Sequence, residues 1–425
     1  VCVNPTCGFT IRVAVFQDGE RFPYLFDCET GLPVFDSTLF VVSQFRNASL
    51  AANTIEQALR SVMLVCILEK HLAINLSERL RSGSFLSQTE LDYLTQLAGM
   101  SLRVLERVEE APQSRKRGST RATSRGLVPT LPVLKRGDYV SANTKSIRLH
   151  YAGVYLKWLA TREIQRTEDA SAAERLVTRT DEVLRALKIR TPPVRARSRE
   201  AIAPEERARV LEVIGEKSPD NPWNHPFVRL RNRLIIMWGI GCGLRRGELL
   251  AMTVKLVELQ FRRATIVRSP DNRRDPRRHP PSVKTRERHV PLGAELIALT
   301  QEYIRERGRI PAARKHGFLI VSKEGSPLSL SAMTKVFTDL RERSPGINQT
   351  LTMHVLRHVW NEEFSDLVDA KLITPEEETR IRNEAMGWSD RSKTGEKYQR
   401  RRTRARASDF SLEIQEKFMR ETKTK

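Results

Sequence analysis

Tyr398 is the last tyrosine of the chain, and the residues upstream of it have the types needed to cut a phosphodiester with a tyrosine. In order they are Arg245 in Gly243-Leu-Arg-Arg-Gly-Glu-Leu249, Lys284 in Val283-Lys-Thr-Arg-Glu-Arg288, His354 and Arg357 in His354-Val-Leu-Arg-His358, and Trp388 in Met386-Gly-Trp388. A phosphodiester is anionic and its leaving alkoxide is poor. Without a metal, cleavage calls for cations at the non-bridging oxygens, an acid for the leaving oxygen and a base near the nucleophile. Arginine suits the first role, because its planar fork binds phosphate bidentately and stays charged. Arg245 and Arg357 are the pair assigned to it. Lys284 suits the second, since neighbouring cations lower an ammonium pKa. His354 shares the acid–base work, and Trp388 offers an indole N–H. A tyrosine nucleophile leaves a phosphotyrosine link, which keeps the energy of the broken bond for rejoining.

These residues need elements to hold them. Residues 9–41 read as extended: Ile11-Arg-Val-Ala-Val-Phe16, an Asp18-Gly19 turn, Tyr24-Leu-Phe26, then Val34-Phe35. The period changes over 52–80, where Ile55, Leu59, Val62, Met63, Cys66 and Ile67 recur at helical steps. A second helix starts near Ser87. Residues 112–137 are polar and basic, and read equally as a solvated link or a nucleic-acid contact. A long helix resumes near Ser141 with Ile147, Tyr151, Val154, Tyr155, Trp158 and Leu159 as its core stripe, and another spans Ala170–Leu187. Prolines and basic residues at 188–200 mark an interdomain link. Beyond it come a helix opening at Pro204, an apolar helix over Phe227–Ile240, strands at Gln260–Val267 and His289–Leu292 around a polar loop at 269–281, and a helix capped by Ser329. The expected division is a β-hairpin module (1–50), a helical domain (51–190) with a basic loop at 112–137, a linker (191–202) and a domain with the candidate site residues (203–425). The fold class is mainly α, with a small antiparallel sheet.

Composition narrows the partners. The 73 Lys and Arg against 51 acidic residues give a net charge of +22, which favours a polyanion through counterion release. Aromatic residues are 6%, with no stacking-platform pattern, so duplex backbone is favoured over single strands. An RNA-coating or ribosomal-type protein is the plainer alternative. No apolar run is long enough to span a membrane. The five cysteines are an odd number without a CxxC, which speaks against a disulfide framework and fits a reducing compartment. Cys2, Cys7 and Cys28 match no standard zinc spacing, so neither a metal nor another cofactor is expected.

The segment Gly243–Tyr398 resembles the tyrosine recombinase (phage integrase) family, whose catalytic domain carries Arg, Lys, His-x-x-Arg, His or Trp, then Tyr. Gly243–Leu249 looks like the first-arginine box, with Glu248 as its acidic companion. Thr352-Met-His-Val-Leu-Arg-His358 matches the His-x-x-Arg box, with His358 in support. Met386-Gly-Trp388 stands where most members have Leu-Gly-His; tryptophan keeps an N–H donor but loses proton exchange. The resemblance covers roughly residues 140–410. It departs from the family in a long basic loop before Lys284 and an added acidic stretch over Asp366–Arg382.

The resemblance implies a helical core-binding domain and a mixed α+β catalytic domain that together clamp double-stranded DNA. The implied activity is site-specific recombination through a 3′-phosphotyrosine, by a homo-tetramer on paired sites, with accessory recombination proteins as further partners. A bacterial, nucleoid-associated cytoplasmic location follows, with no membrane partner. Lys145, Arg148, Arg195, Arg197, Arg400 and Arg401 are the expected DNA contacts. In the C-terminal segment, Phe410, Leu412, Ile414 and Phe418 have apolar helical spacing, for docking on a neighbour or packing on the chain's own core. Taken singly, each site residue has a plainer reading: Arg245 as a cap, Lys284 as a solvated loop lysine, His354 or His358 as a core histidine, Trp388 as packing. Two other activities stay open, a type IB topoisomerase-like strand cleavage and a non-catalytic DNA-binding protein.

Overall fold

The computed structural model describes residues 8–48, 50–110, 131, 135–193, 201–269, 272–371, 373–390, 392, 395, 407–408 and 410–416. The chain divides into two compact units, Val1–Ala196 and Arg197–Lys425. The division falls inside the proline- and arginine-bearing segment expected to be a link.

The first unit opens with β1 (Phe9–Val15) antiparallel to β2 (Arg21–Asp27), Phe9 facing Asp27 and Val15 facing Arg21. The turn between them uses Gly19 at positive φ, as the Asp-Gly pair predicts. A two-residue β3 (Leu32–Pro33) completes the sheet. The expected strand at Val34-Phe35 is not there. Val34 is the cap of α1 (Phe35–Val41), whose first turn is held by Ser37 Oγ donating to the Val34 carbonyl at 2.8 Å, and a π turn follows over Val42–Arg46. Six helices follow: α2 (Ala52–Leu72), α3 (Leu76–Arg81), α4 (Gln88–Gly99), α5 (Leu102–Glu110), α6 (Ala142–Arg166) and α7 (Ala170–Arg190).

Local chemistry sets the boundaries of these helices. Ser87 and Glu90 form a reciprocal capping box at the start of α4, and Ser141 caps α6. One core holds the whole unit: Phe9, Phe22 and Leu25 of the sheet share it with Leu59, Val62 and Cys66 of α2 and Tyr155 and Leu159 of α6. The sheet therefore has no core of its own among the described residues. Arg148, expected at DNA, is buried in this unit. Its Nη1 donates to the carbonyls of Met100 at 2.6 Å and Ala98 at 3.2 Å, so it ties α6 to the end of α4. Lys145 lies one turn earlier, half-buried, its stem beside Gly99.

The second unit contains α8 (Pro204–Val213), α9 (Pro226–Cys242) and α10 (Arg246–Ala251). A three-stranded antiparallel sheet follows, β4 (Val257–Glu258), β5 (Arg263–Ile266) and β6 (Arg288–Pro291), in that order. Then come α11 (Ala294–Gly308), a short α12 (Pro311–Arg314), α13 (Leu330–Arg343), α14 (Met353–Ala370) and α15 (Pro375–Met386). α9 is the central helix and packs on both α11 and α14. Its buried Trp238 donates from Nε1 to Thr300 Oγ1 of α11 at 3.1 Å, so even the indole's polar end is satisfied. The loop before Lys284 is pinned, not merely solvated: buried Arg277 pairs with Asp275 and donates to the carbonyls of Leu328 at 2.8 Å and Leu250 at 3.1 Å. Residues 410–416 are helical, with Phe410, Leu412 and Ile414 exposed; Phe418 lies outside the described residues. Among the described residues, no helix is long and apolar enough to cross a membrane.

Candidate active site

The first-arginine box is a helix end, a turn and a helix start. α9 stops at Gly243, whose φ of 59° is the left-handed region. A Cβ there would sit 2.9 Å from the Trp360 ring, so the position requires glycine on both counts. Two residues later, Arg245 is the cap of α10. Its amide donates to Glu248 Oε2 at 2.9 Å and its Nη1 to Oε1 at 3.2 Å. The Arg245 side chain keeps 38% exposure, against 1% for Glu248.

Glu248 is the acceptor around which the site is organised. It takes hydrogen bonds from Thr285 Oγ1 at 2.8 Å and from Arg288 Nη2 at 3.0 Å, besides those from Arg245. Burial opposes its charge, but the charge and hydrogen bond of Arg288, the charge of Arg357 and the Arg245 amide outweigh burial and hold its carboxyl below the usual range. Three guanidinium groups around one carboxylate leave an excess of positive charge at this place.

Lys284 sits beside this cluster. Val283 bridges Ser269 through hydrogen bonds of 2.8 and 3.1 Å, which fixes the segment that carries it. Thr285 turns into Glu248, and Lys284 is exposed. Arg286, two residues on, is engaged elsewhere: its amide donates to the Gly387 carbonyl at 3.1 Å and its guanidinium pairs with Asp390 at 2.7 Å.

α14 supplies the His-x-x-Arg set. Thr352 caps it by accepting from the Val355 amide at 3.3 Å. His354 is exposed on the first turn, and its Nε2 lies 3.2 Å from Nε2 of His358 one turn on. Arg357 points inward at 1% exposure, and its Nη1 donates to the Gly243 carbonyl at 2.7 Å. Its guanidinium carbon stands 5.3 Å from the centre of the Trp388 ring.

Trp388 follows the left-handed Gly387 (φ 64°) at the end of α15, and its amide donates to the Asn383 carbonyl at 2.8 Å. The stretch over Asp366–Arg382 is not simply an added acidic surface. Arg382 is buried and donates to Glu378 at 2.6 Å, Ser365 Oγ at 2.7 Å and both Asn361 oxygens at 3.0 Å. Asn361 Nδ2 in turn donates to the Arg357 carbonyl at 2.8 Å, so this network braces α14 beneath the turn that carries Arg357.

Arg245, Glu248, Arg357 and Trp388 are thus linked in the second unit, with the Lys284 segment joined to them through Thr285 and His354 and His358 on the same helix as Arg357. Tyr398, Arg195, Arg197, Arg400 and Arg401 lie outside the described residues. Lys145 and Arg148 belong to the first unit. Sequence reasoning missed Thr285, Arg288, Asn361 and Arg382. The alternation along β6, where Arg288 and Val290 turn inward and His289 and Pro291 outward, was the available signal for Arg288. Among the described residues, no cluster of three or more His, Cys, Asp or Glu side chains is placed to hold a metal ion.

Residues 224–404 match the model of the phage integrase family. A comparison with curated proteins found no match. Among solved structures, the chain is similar to the crystal structure of XerA recombinase at 19% identity, covering 59% of this chain and 77% of that one, with a TM-score of 0.35. It is similar to the Tn1549 transposon integrase in complex with transposon right end DNA at 14% identity, covering 87% and 99%, TM-score 0.44. It is also similar to XerH site-specific recombinase bound to a palindromic difH substrate at 17% identity, covering 76% and 85%, TM-score 0.40.

Proposed function

We propose that the chain, which belongs to the phage integrase family through residues 224–404, is a site-specific DNA recombinase that cuts and rejoins strands through a 3′-phosphotyrosine. The observation that carries this reading is the Glu248 cluster. It brings the arginine box, the lysine segment, the His-x-x-Arg helix and the Trp388 turn to one place.

Arg245 and Arg357 take the non-bridging oxygens of the scissile phosphate and neutralise charge as it grows in the transition state. The Tyr398 oxygen attacks phosphorus, giving its proton to His354, which His358 orients. The bond from phosphorus to the 5′ oxygen breaks, and Lys284 protonates that oxygen as it leaves. Trp388 donates its N–H to a phosphate oxygen. A 5′ hydroxyl from a partner strand then attacks the phosphotyrosine, which frees Tyr398 and reseals the DNA. No external energy source enters, because one phosphodiester replaces another.

Exchange between two duplexes uses four active sites, hence a homo-tetramer on paired sites, aided by accessory recombination proteins. The helices of residues 51–190 act as the core-binding domain. Lys145, Arg195, Arg197, Arg400 and Arg401 contact the phosphate backbone, which sets affinity more than sequence choice. The protein works beside the nucleoid of a bacterial cytoplasm.

The test is to denature cells carrying the protein, recover the DNA attached to it and sequence it. Adducts at a few discrete sites support recombination. Scattered adducts favour a topoisomerase-like enzyme, and a chain that binds DNA without adducts favours a non-catalytic DNA-binding protein.

A further inference from the structure

Arg288 makes contacts that no surface arginine needs. It lies on β6, where backbone pairing with Ile266 of β5 fixes its position. Its side chain is 2% exposed and that of Glu248 is 1% exposed. Nη2 donates to Glu248 Oε2 at 3.0 Å and Nη1 to Oε1 at 3.3 Å, while Thr285 Oγ1 lies 3.4 Å from Nη1. In the opposite direction Nε donates to the carbonyl of Ala385, three residues before Trp388, at 3.0 Å. One planar fork therefore spans the box of Arg245, the segment of Lys284 and the approach to Trp388.

We infer that Arg288 is a positioning residue for strand cleavage, holding Arg245, Lys284 and Trp388 in one frame without touching the DNA itself. The inference rests on the activity proposed above. A purely structural pair could have been replaced by apolar packing at little cost. Here the pair also has an electrostatic task. The ionisable groups facing Glu248 are Arg245 at the cap of α10, Arg288 on β6 and Arg357 on α14. Cys242 of α9 stands close by, its thiol pushed up to about 12 by burial. Of the cations, Arg288 acts most strongly on Glu248. Without it the buried carboxyl takes up a proton more readily and releases its hold on the Arg245 amide and side chain. Lysine would keep the charge but reach one partner at a time, since it lacks the fork.

The test uses the full chain as wild type, Arg288→Met, Arg288→Lys, and Arg288→Met combined with Glu248→Gln. Single-turnover cleavage is followed across pH on duplex carrying a site recovered from wild-type adducts. Arg288→Met is expected to bind DNA within about threefold of wild type and cleave on the order of 100-fold more slowly. Its rate should also fall on the acid side of neutrality, an ionisation absent from wild type and from the Met/Gln double variant. Arg288→Lys should keep the wild-type pH profile at a reduced rate. A Met variant whose profile parallels wild type, or whose cleavage falls only as far as its DNA binding, overturns the inference.

A readout without DNA guards against loss of activity for other reasons. In wild type the Glu248 carboxylate favours folding towards neutral pH. In Arg288→Met that contribution is smaller, because the strongest cation is gone, so stability to urea relative to wild type should fall as pH rises through the range where the carboxyl ionises. A constant difference overturns the inference. Failure of wild type itself to form adducts would sink the recombinase reading instead, and the unfolding experiment would still report on the pair.

Discussion

Arg357 donates to the carbonyl of Gly243 across 2.7 Å, joining residues 114 positions apart. The bond sets the second arginine of the site against the turn that carries the first. A planar guanidinium, with donors spread over three nitrogens, can hold that carbonyl on one edge and face a phosphate on another. Arg357→Lys keeps the charge and loses this division of labour. Cleavage should drop by about 100- to 1000-fold, the scale of one lost oxyanion donor, with DNA affinity nearly unchanged. Single-turnover rates beside binding isotherms decide it; a rate near wild type would remove Arg357 from the phosphate.

Glu248 makes a prediction about stability. Its folded pKa is depressed below the ordinary 4.5, so its contribution is present above that value and is lost as pH falls towards the folded value. Glu248→Gln leaves Arg288 buried without its counter-charge and should cost about 3–5 kcal/mol at neutral pH. The gap between variant and wild type should narrow as pH drops below about 4. Urea unfolding at a series of pH values gives the answer, and a gap that widens in acid would refute the assignment.

Lys284 is tested by its leaving group. When sulfur replaces the bridging 5′ oxygen, the departing thiolate needs far less proton donation than an alkoxide. Lys284→Ala should therefore cleave ordinary DNA poorly and the sulfur-bridged DNA at close to the wild-type rate. Arg286→Ala, with its guanidinium committed to Asp390, should show no such selective rescue. Rescue of Arg286→Ala in place of Lys284→Ala would reassign the acid.

What could be read in advance was local. The Asp18-Gly19 hairpin, the Ser87 cap, the periodic stripe of α6 and the spacing of the site residues each follow from nearest-neighbour chemistry. The arginines were the difficulty. In a chain of net charge +22, Arg148, Arg277, Arg288 and Arg382 look like the solvated or DNA-facing majority. Each is instead buried on carbonyls or carboxylates supplied from distant positions, which composition and periodicity do not encode. Val34-Phe35 misled for a related reason: an apolar pair after Pro33 reads as strand until the core that the following turn packs on, Tyr155 and Trp158 of α6 against Phe40, is known.

Gly387 offers a separate check on the frame. It sits at φ 64°, and a Cβ there would lie 2.7 Å from Arg288 Nη1 and 3.1 Å from the Arg286 carbonyl. Gly387→Ala should cost about 1–2 kcal/mol for the left-handed backbone alone. Because it also presses on Arg288, cleavage should fall further than the lost stability explains. Thermal unfolding and cleavage measured at a temperature where the variant stays folded separate the two effects; a fully folded variant of wild-type rate would contradict the frame.

The central claim is that Tyr398 becomes covalently joined to DNA. Adducts trapped with denaturant can be digested with nuclease, cut after glutamate to release the peptide from Lys397 to Glu413, and examined by mass spectrometry. The account predicts a 3′-linked nucleotide on Tyr398, absent from Tyr398→Phe protein that binds the same DNA equally well. A nucleotide on any other residue, or adducts that persist in Tyr398→Phe, would contradict it.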